Sequence, residues 1–173
     1  MKIGLAGSIS VGKTTLAKEL GKLPQFENYE IITERSKYLR DLGIQLNSDS
    51  TLPGQIIFAA ERASELLKEN IITDRSIYDV CTFTLSAKSI DWKVKEEYCT
   101  LMLNLRGYYD IIIYVSPEGV DIEDNQVRTT DAKYREQLDY VVKELIKQYP
   151  PNKLIEVKGP TEERIATILA NLN

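Results

Sequence analysis

The octapeptide Gly7-Ser8-Ile9-Ser10-Val11-Gly12-Lys13-Thr14 constrains this chain more than any other stretch. It fits the pattern G-x-x-x-x-G-K-[ST] in full, and it stands in the context that the pattern needs. An apolar run, Lys2–Ala6, precedes it and reads as a buried strand; a helical pattern over Lys13–Leu20 follows. Glycine at either end lets the backbone wrap until its amides converge, and the helix N-terminus behind them adds partial positive charge. Such a concavity suits a polyphosphate. The expected cradle is Gly7, Ser8, Ser10, Gly12, Lys13, Thr14 and Thr15 around ATP, with Lys13 reaching the β- and γ-phosphates and Thr14 binding Mg²⁺. A chance Gly/Ser turn is the competing account, and the strand and helix in register on both sides argue against it.

Strand-like and helical patterns then alternate to the end. Residues 29–33 read as a second strand, followed by a helix to about Leu42 and a polar loop over 43–52. Pro53 suits the first turn of a helix reaching about Glu69, with Ile56, Ala59, Ala60, Ala63, Leu66 and Leu67 expected on one buried face. Residues 70–74 hold a brief third strand, and helical stretches fill 76–105. Ile111–Val115, apolar throughout, predicts a strand covered on both faces. An acidic loop, 116–130, leads to an amphipathic helix on which Tyr134, Leu138, Val141, Val142 and Leu145 share a side. Leu154–Val157 is the fifth strand, and a last helix starts near Thr161, expected as its N-cap. This order implies one α/β domain over residues 1–173: a three-layer fold with a five-stranded parallel sheet flanked by helices, and a lid at about 116–130.

Composition narrows the function. A net charge of -4 argues against a duplex nucleic acid as the main partner, because such proteins carry basic surfaces that displace counterions. The opening apolar stretch is too short for a leader peptide, and no segment approaches a membrane span, so the expected setting is the cytoplasm. Cys81 and Cys99 lack metal-ligand spacing and read as small buried hydrophobes. The chain has no histidine, so a general base must be a carboxylate, a lysine or the substrate itself.

The guanine-reading N-K-x-D of switch GTPases is missing, since Asn152-Lys153-Leu154-Ile155 lacks the acid. The apolar run ending in Asp-Glu that motor ATPases use is missing too. Asp74-Arg75-Ser76-Ile77-Tyr78 resembles the [DE]-R-S-x-Y segment after the third strand of deoxyribonucleoside kinases, and its Asp-Arg pair also resembles thymidylate kinases. Gln55 with Arg62 seven residues on is similar to the Gln and Arg that those kinases place over the base and near the 5′ position. Glu34 falls where that family carries its catalytic Glu, and the stretch from Asn125 to Asp131 looks more like the nicotinamide riboside kinase branch. The resemblance implies a P-loop kinase that moves the γ-phosphate of ATP to a small-molecule nucleoside or nucleoside monophosphate. Nicotinamide riboside, or a hydroxylated base in DNA, is an alternative acceptor; a homodimer stays open. A regulatory ATPase that binds nucleotide without phosphorylating anything is the reading from another class.

Physical arguments sort the candidates. Seven residues is nearly two helical turns, so Gln55 and Arg62 share a side about 10 Å apart, as a base reader and a holder of a phosphate or 5′ oxygen would; a solvated polar stripe has the same spacing. Asp74 and Arg75 end a strand of a parallel sheet, where ligands are met: Asp74 to orient Mg²⁺, Arg75 to neutralise charge on the acceptor or the transferring group, unless the two form a structural ion pair. Glu34 is the best carboxylate for a base that deprotonates an acceptor hydroxyl, with an acid at a helix start as the competing account. Arg128 in the lid would bring charge to the transferring phosphoryl, whereas Arg135 is expected on a solvated face and Phe58 in the core.

Overall fold

Parallel strands cannot be joined by tight turns, and this chain spends helices on its crossovers. A computed structural model describes residues 1–33, 35–120 and 131–172. The strands are β1 (Lys2–Ala6), β2 (Glu30–Ile32), β3 (Ile71–Thr73), β4 (Ile111–Val115) and β5 (Leu154–Val157). They form one sheet in the order β2-β3-β1-β4-β5, every pairing parallel. The first strand therefore lies in the middle, with Ile3 opposite Ile72 on one side and Ile111 on the other.

The helices are α1 (Lys13–Leu20), α2 (Ser36–Asp41), α3 (Leu52–Glu65), α4 (Ile77–Ser86), α5 (Trp92–Leu103), α6 (Ala132–Gln148) and α7 (Thr161–Ala170). Successive strand residues point to opposite faces, and the central strands are apolar both ways. Ile3, Leu5, Ile111, Ile113 and Val115 face α1 and α7, packing on Leu16, Ala17, Leu20 and Ile168. Ala6, Ile112 and Tyr114 face the other layer, where α3, α4, α5 and α6 supply Ala59, Tyr78, Cys81, Cys99, Leu103, Val142 and Leu145. These are the three layers that the sequence predicts. Gly4 belongs to the second face for a steric reason: a Cβ there would stand 2.7 Å from the Tyr109 ring, which is buried across it. Tyr108, the neighbour of Tyr109, is exposed.

Several boundaries move. Helix α3 stops at Glu65, not near Glu69, and Asn70 turns the chain into β3 at a φ of 50°. Thr51 caps α3, accepting from the Gly54 amide at 3.4 Å. Thr161 is the first helical residue of α7, and Pro160 holds the cap position.

The buried face of α3 is the larger correction. Gln55, Ala59, Arg62 and Leu66 point inward, whereas Ile56, Ala60 and Leu67 are exposed, Leu67 by 86%. Positions 55-59-62-66 and 56-60-63-67 have identical spacing, one residue and about 100° apart. Apolar content favours the second stripe; the structure buries the first, because this helix walls a polar hollow as well as the core.

Candidate functional site

The site begins in the turn after β1. A Cβ on Gly7 would lie 2.6 Å from the backbone oxygen of Val115, so the loop can leave the strand this close to β4 only as glycine. Ser10 and Gly12 take left-handed conformations, φ 53° and 84°, and Gly12 opens α1. Alternating backbone handedness makes a concave nest of amides at a helix N-terminus. Lys13 is buried, and its Nζ donates to the carbonyls of Gly7 and Ser8 at 2.6 Å each. From behind, Arg164 of α7 donates to the Val11 carbonyl at 2.6 Å and braces the loop against the last helix. Burial pulls the pKa of that guanidinium down.

At the end of β3, Asp74 is fully buried and its Oδ2 accepts from the Thr14 hydroxyl at 2.5 Å. The expected metal pair is thus adjacent. Among the described residues no cluster of three or more acids and cysteines gathers to hold a metal by itself. A hydroxyl beside a carboxylate at a phosphate nest does fit Mg²⁺, which keeps waters and takes other ligands from phosphates.

Beside the loop lies a hollow of about 610 Å³, including its open mouth, walled by α3, α4, the start of α2 and residues 46–50. Gln55, Arg62 and Arg75 all line it. Thr84 of α4 donates to the Gln55 amide oxygen at 3.3 Å, and Tyr98 of α5 donates to the Gln55 backbone oxygen at 2.7 Å. Arg62 bonds Glu65 one turn on and lies 4.0 Å from Glu61. Burial outweighs that cation and pushes the Glu65 carboxyl up to about 7. Arg75 stacks over the Phe83 ring with its guanidinium carbon 4.8 Å from the ring centre. At the mouth, Arg35 reaches Glu61 at 3.5 Å.

Phe58 packs on the core, as the sequence predicts, and also lines the hollow. Other residues stand where sequence reasoning does not put them. Arg135 is buried, not solvated, and donates to the Pro117 carbonyl at 3.1 Å. Glu34 and Arg128 lie outside the described residues, as does most of the expected lid. Asp79 is a site residue that sequence reasoning does not single out: it lines the hollow, is 0% exposed on its side chain, and lies 3.4 Å from Lys13 and 3.7 Å from Arg75. The signal was present as Ser76-x-x-Asp79 opening an apolar helix, the pattern of a capping box.

Comparison with known proteins adds the following. A family profile described as "AAA domain" matches residues 2–164. A deoxyadenosine kinase of Dictyostelium discoideum is 30% identical over 159 residues, covering 80% of this chain and 61% of the relative. This chain thus spans about three fifths of that protein's length. Deoxyadenosine kinase from M. mycoides with bound dCTP superposes with a TM-score of 0.71 at 24% identity, covering 100% of this chain and 99% of that one. With bound dATP the values are 0.66 and 23%, covering 100% of each. These likenesses show a shared fold.

Proposed function

The chain belongs to the AAA domain family, and from that premise we propose that it transfers the γ-phosphoryl group of ATP to the 5′-hydroxyl of a nucleoside. One observation carries the reading: a hollow lined by Gln55, Arg62 and Arg75 adjoins the phosphate nest, with Asp79 lying beside both Lys13 and Arg75. Nucleotide binding alone would need only the nest.

In this reading the loop amides and Lys13 hold the β- and γ-phosphates in line with the acceptor, which is most of what phosphoryl transfer asks of a protein. Thr14 and Asp74 would hold Mg²⁺, which would supply charge neutralisation on the phosphate oxygens. The acceptor oxygen bonds to the γ-phosphorus as the bond to the bridging oxygen of ADP breaks. Glu34 takes the hydroxyl proton, a role supported by its position in the sequence. Arg75 meets the charge that develops near the acceptor, Arg128 adds to it from the lid, and Gln55 reads the base edge with Arg62 held beside it.

Charge balance supports a hydroxyl acceptor over a monophosphate. Arg35, Arg62 and Arg75 line the hollow, but Glu61 and Asp79 line it too and nearly offset them. A neutral nucleoside fits a balanced wall, whereas a monophosphate brings about -1.5 to -2 charges that need surplus arginines. The names of the similar kinases support a deoxynucleoside. No helix among the described residues is long and apolar enough to cross a membrane.

Labelled ATP, Mg²⁺ and a panel of deoxynucleosides, their monophosphates and nicotinamide riboside test the proposal. Labelled nucleoside monophosphate is the expected product. Slow phosphate release with no labelled acceptor supports the regulatory ATPase instead, and labelled diphosphate moves the acceptor to a monophosphate. Sedimentation gives the assembly: twice 19.7 kDa supports a homodimer, and 19.7 kDa removes it.

A further inference from the structure

Asp79 touches both halves of the site, and the proposed reaction leaves it without a task. One of its oxygens, Oδ2, closes the start of α4 by accepting from the backbone amide and the hydroxyl of Ser76, each at 3.0 Å. The other, Oδ1, accepts no hydrogen bond from the described residues and faces Lys13 Nζ at 3.4 Å and Arg75 at 3.7 Å. A helix cap uses one oxygen and is at home on the surface. A carboxylate buried to 0% exposure is tolerated only where cations offset its desolvation. Both cations here are the ones that the proposed reaction brings to phosphate.

We infer that Asp79 is a positioning residue: it aims the Lys13 ammonium and the Arg75 guanidinium at one point between donor and acceptor, and competes with phosphate oxygens for both. It touches no reacting atom and acts through its two partners. The inference rests on the proposed function, in which a triphosphate meets Lys13. It has two opposed effects. Anchoring Arg75 speeds transfer, while a fixed negative charge beside Lys13 weakens the grip on any anion.

Asp79→Asn keeps the shape and an oxygen for the Ser76 amide while removing the charge. Loss of a like charge at the anion site should tighten inorganic tripolyphosphate about tenfold by titration calorimetry. Loss of the anchor for Arg75 should lower kcat about 100-fold with acceptor KM changed less than about threefold. Ser76→Ala weakens the same cap and spares the charge, so its tripolyphosphate affinity should stay at the wild-type value. If Asp79 is only a cap, both variants melt earlier and tripolyphosphate affinity is unchanged in both; that result overturns the inference. Should Asp79→Asn not fold, Asp79→Ser removes the same charge and is read the same way. Wild-type protein that binds neither ATP nor tripolyphosphate removes the kinase reading itself, whereas wild-type binding with an unaltered Asp79→Asn removes only the role of Asp79.

Discussion

A buried carboxyl bonded to an arginine would ordinarily titrate low, yet Glu65 is pushed up to about 7, because burial penalises its charge more than Arg62 rewards it. The unfolded chain gives up that proton near the ordinary 4.5, so between there and about 7 the native state binds more protons than the unfolded one. Stability then falls as pH rises through this window. Calorimetric melting of the wild type should show that decline, and Glu65→Gln should flatten it; an unchanged slope in the variant would assign the effect elsewhere. Lys13 supports a blunter expectation. With its ammonium gone the nest keeps its amides but loses its cation, so Lys13→Ala should drop transfer by about 10³-fold or more, measured with labelled ATP. At this scale the sequence is legible where residue type and position leave one chemistry, as at Gly7, Lys13 and Thr14. It is opaque where a partner decides. Nothing local says that Arg62 bonds Glu65, or that Asp79, which looks like a helix cap, also faces two cations from different elements.

Among elements, the loop after β1 and helix α3 make separable claims. Gly7→Ala would place a Cβ 2.6 Å from a backbone oxygen of β4, which cannot step aside as a side chain does. Displacing the loop by about an ångström should cost on the order of 100-fold in kcat. Gly107→Ala, whose Cβ would meet nothing within 4 Å, should leave the rate alone and serves as the control. Helix α3 gives a test of rotational phase between two neighbouring leucines. Leu66 is 4% exposed and Leu67 is 86% exposed. Leu66→Ala should cost about 2–5 kcal/mol, and Leu67→Lys no more than about 0.5 kcal/mol in chemical denaturation; the reverse ranking would mean the helix is turned the other way. The strands and their order of helices were readable because parallel sheets demand continuous apolar runs separated by helical periods. The phase of α3 was not, since two stripes of equal spacing lie side by side and the choice between them depends on a hollow formed by other parts of the chain.

For the molecule as a whole, the sheet order carries a consequence in time. Its earliest strand is its central one: Ile3 pairs with Ile72 and with Ile111, and Arg164 braces Val11 across almost the full length of the chain. During synthesis the phosphate nest leaves the ribosome ahead of its flanking strands and waits, with both sides bare, for neighbours that translation delivers roughly three to twenty seconds later. Through that interval its edges are open to any passing strand, a hazard that chaperones exist to meet. Nascent chains stalled before β4 should therefore fail to retain ATP on an affinity resin however long they are held, and gain that ability only once α7 has cleared the exit tunnel.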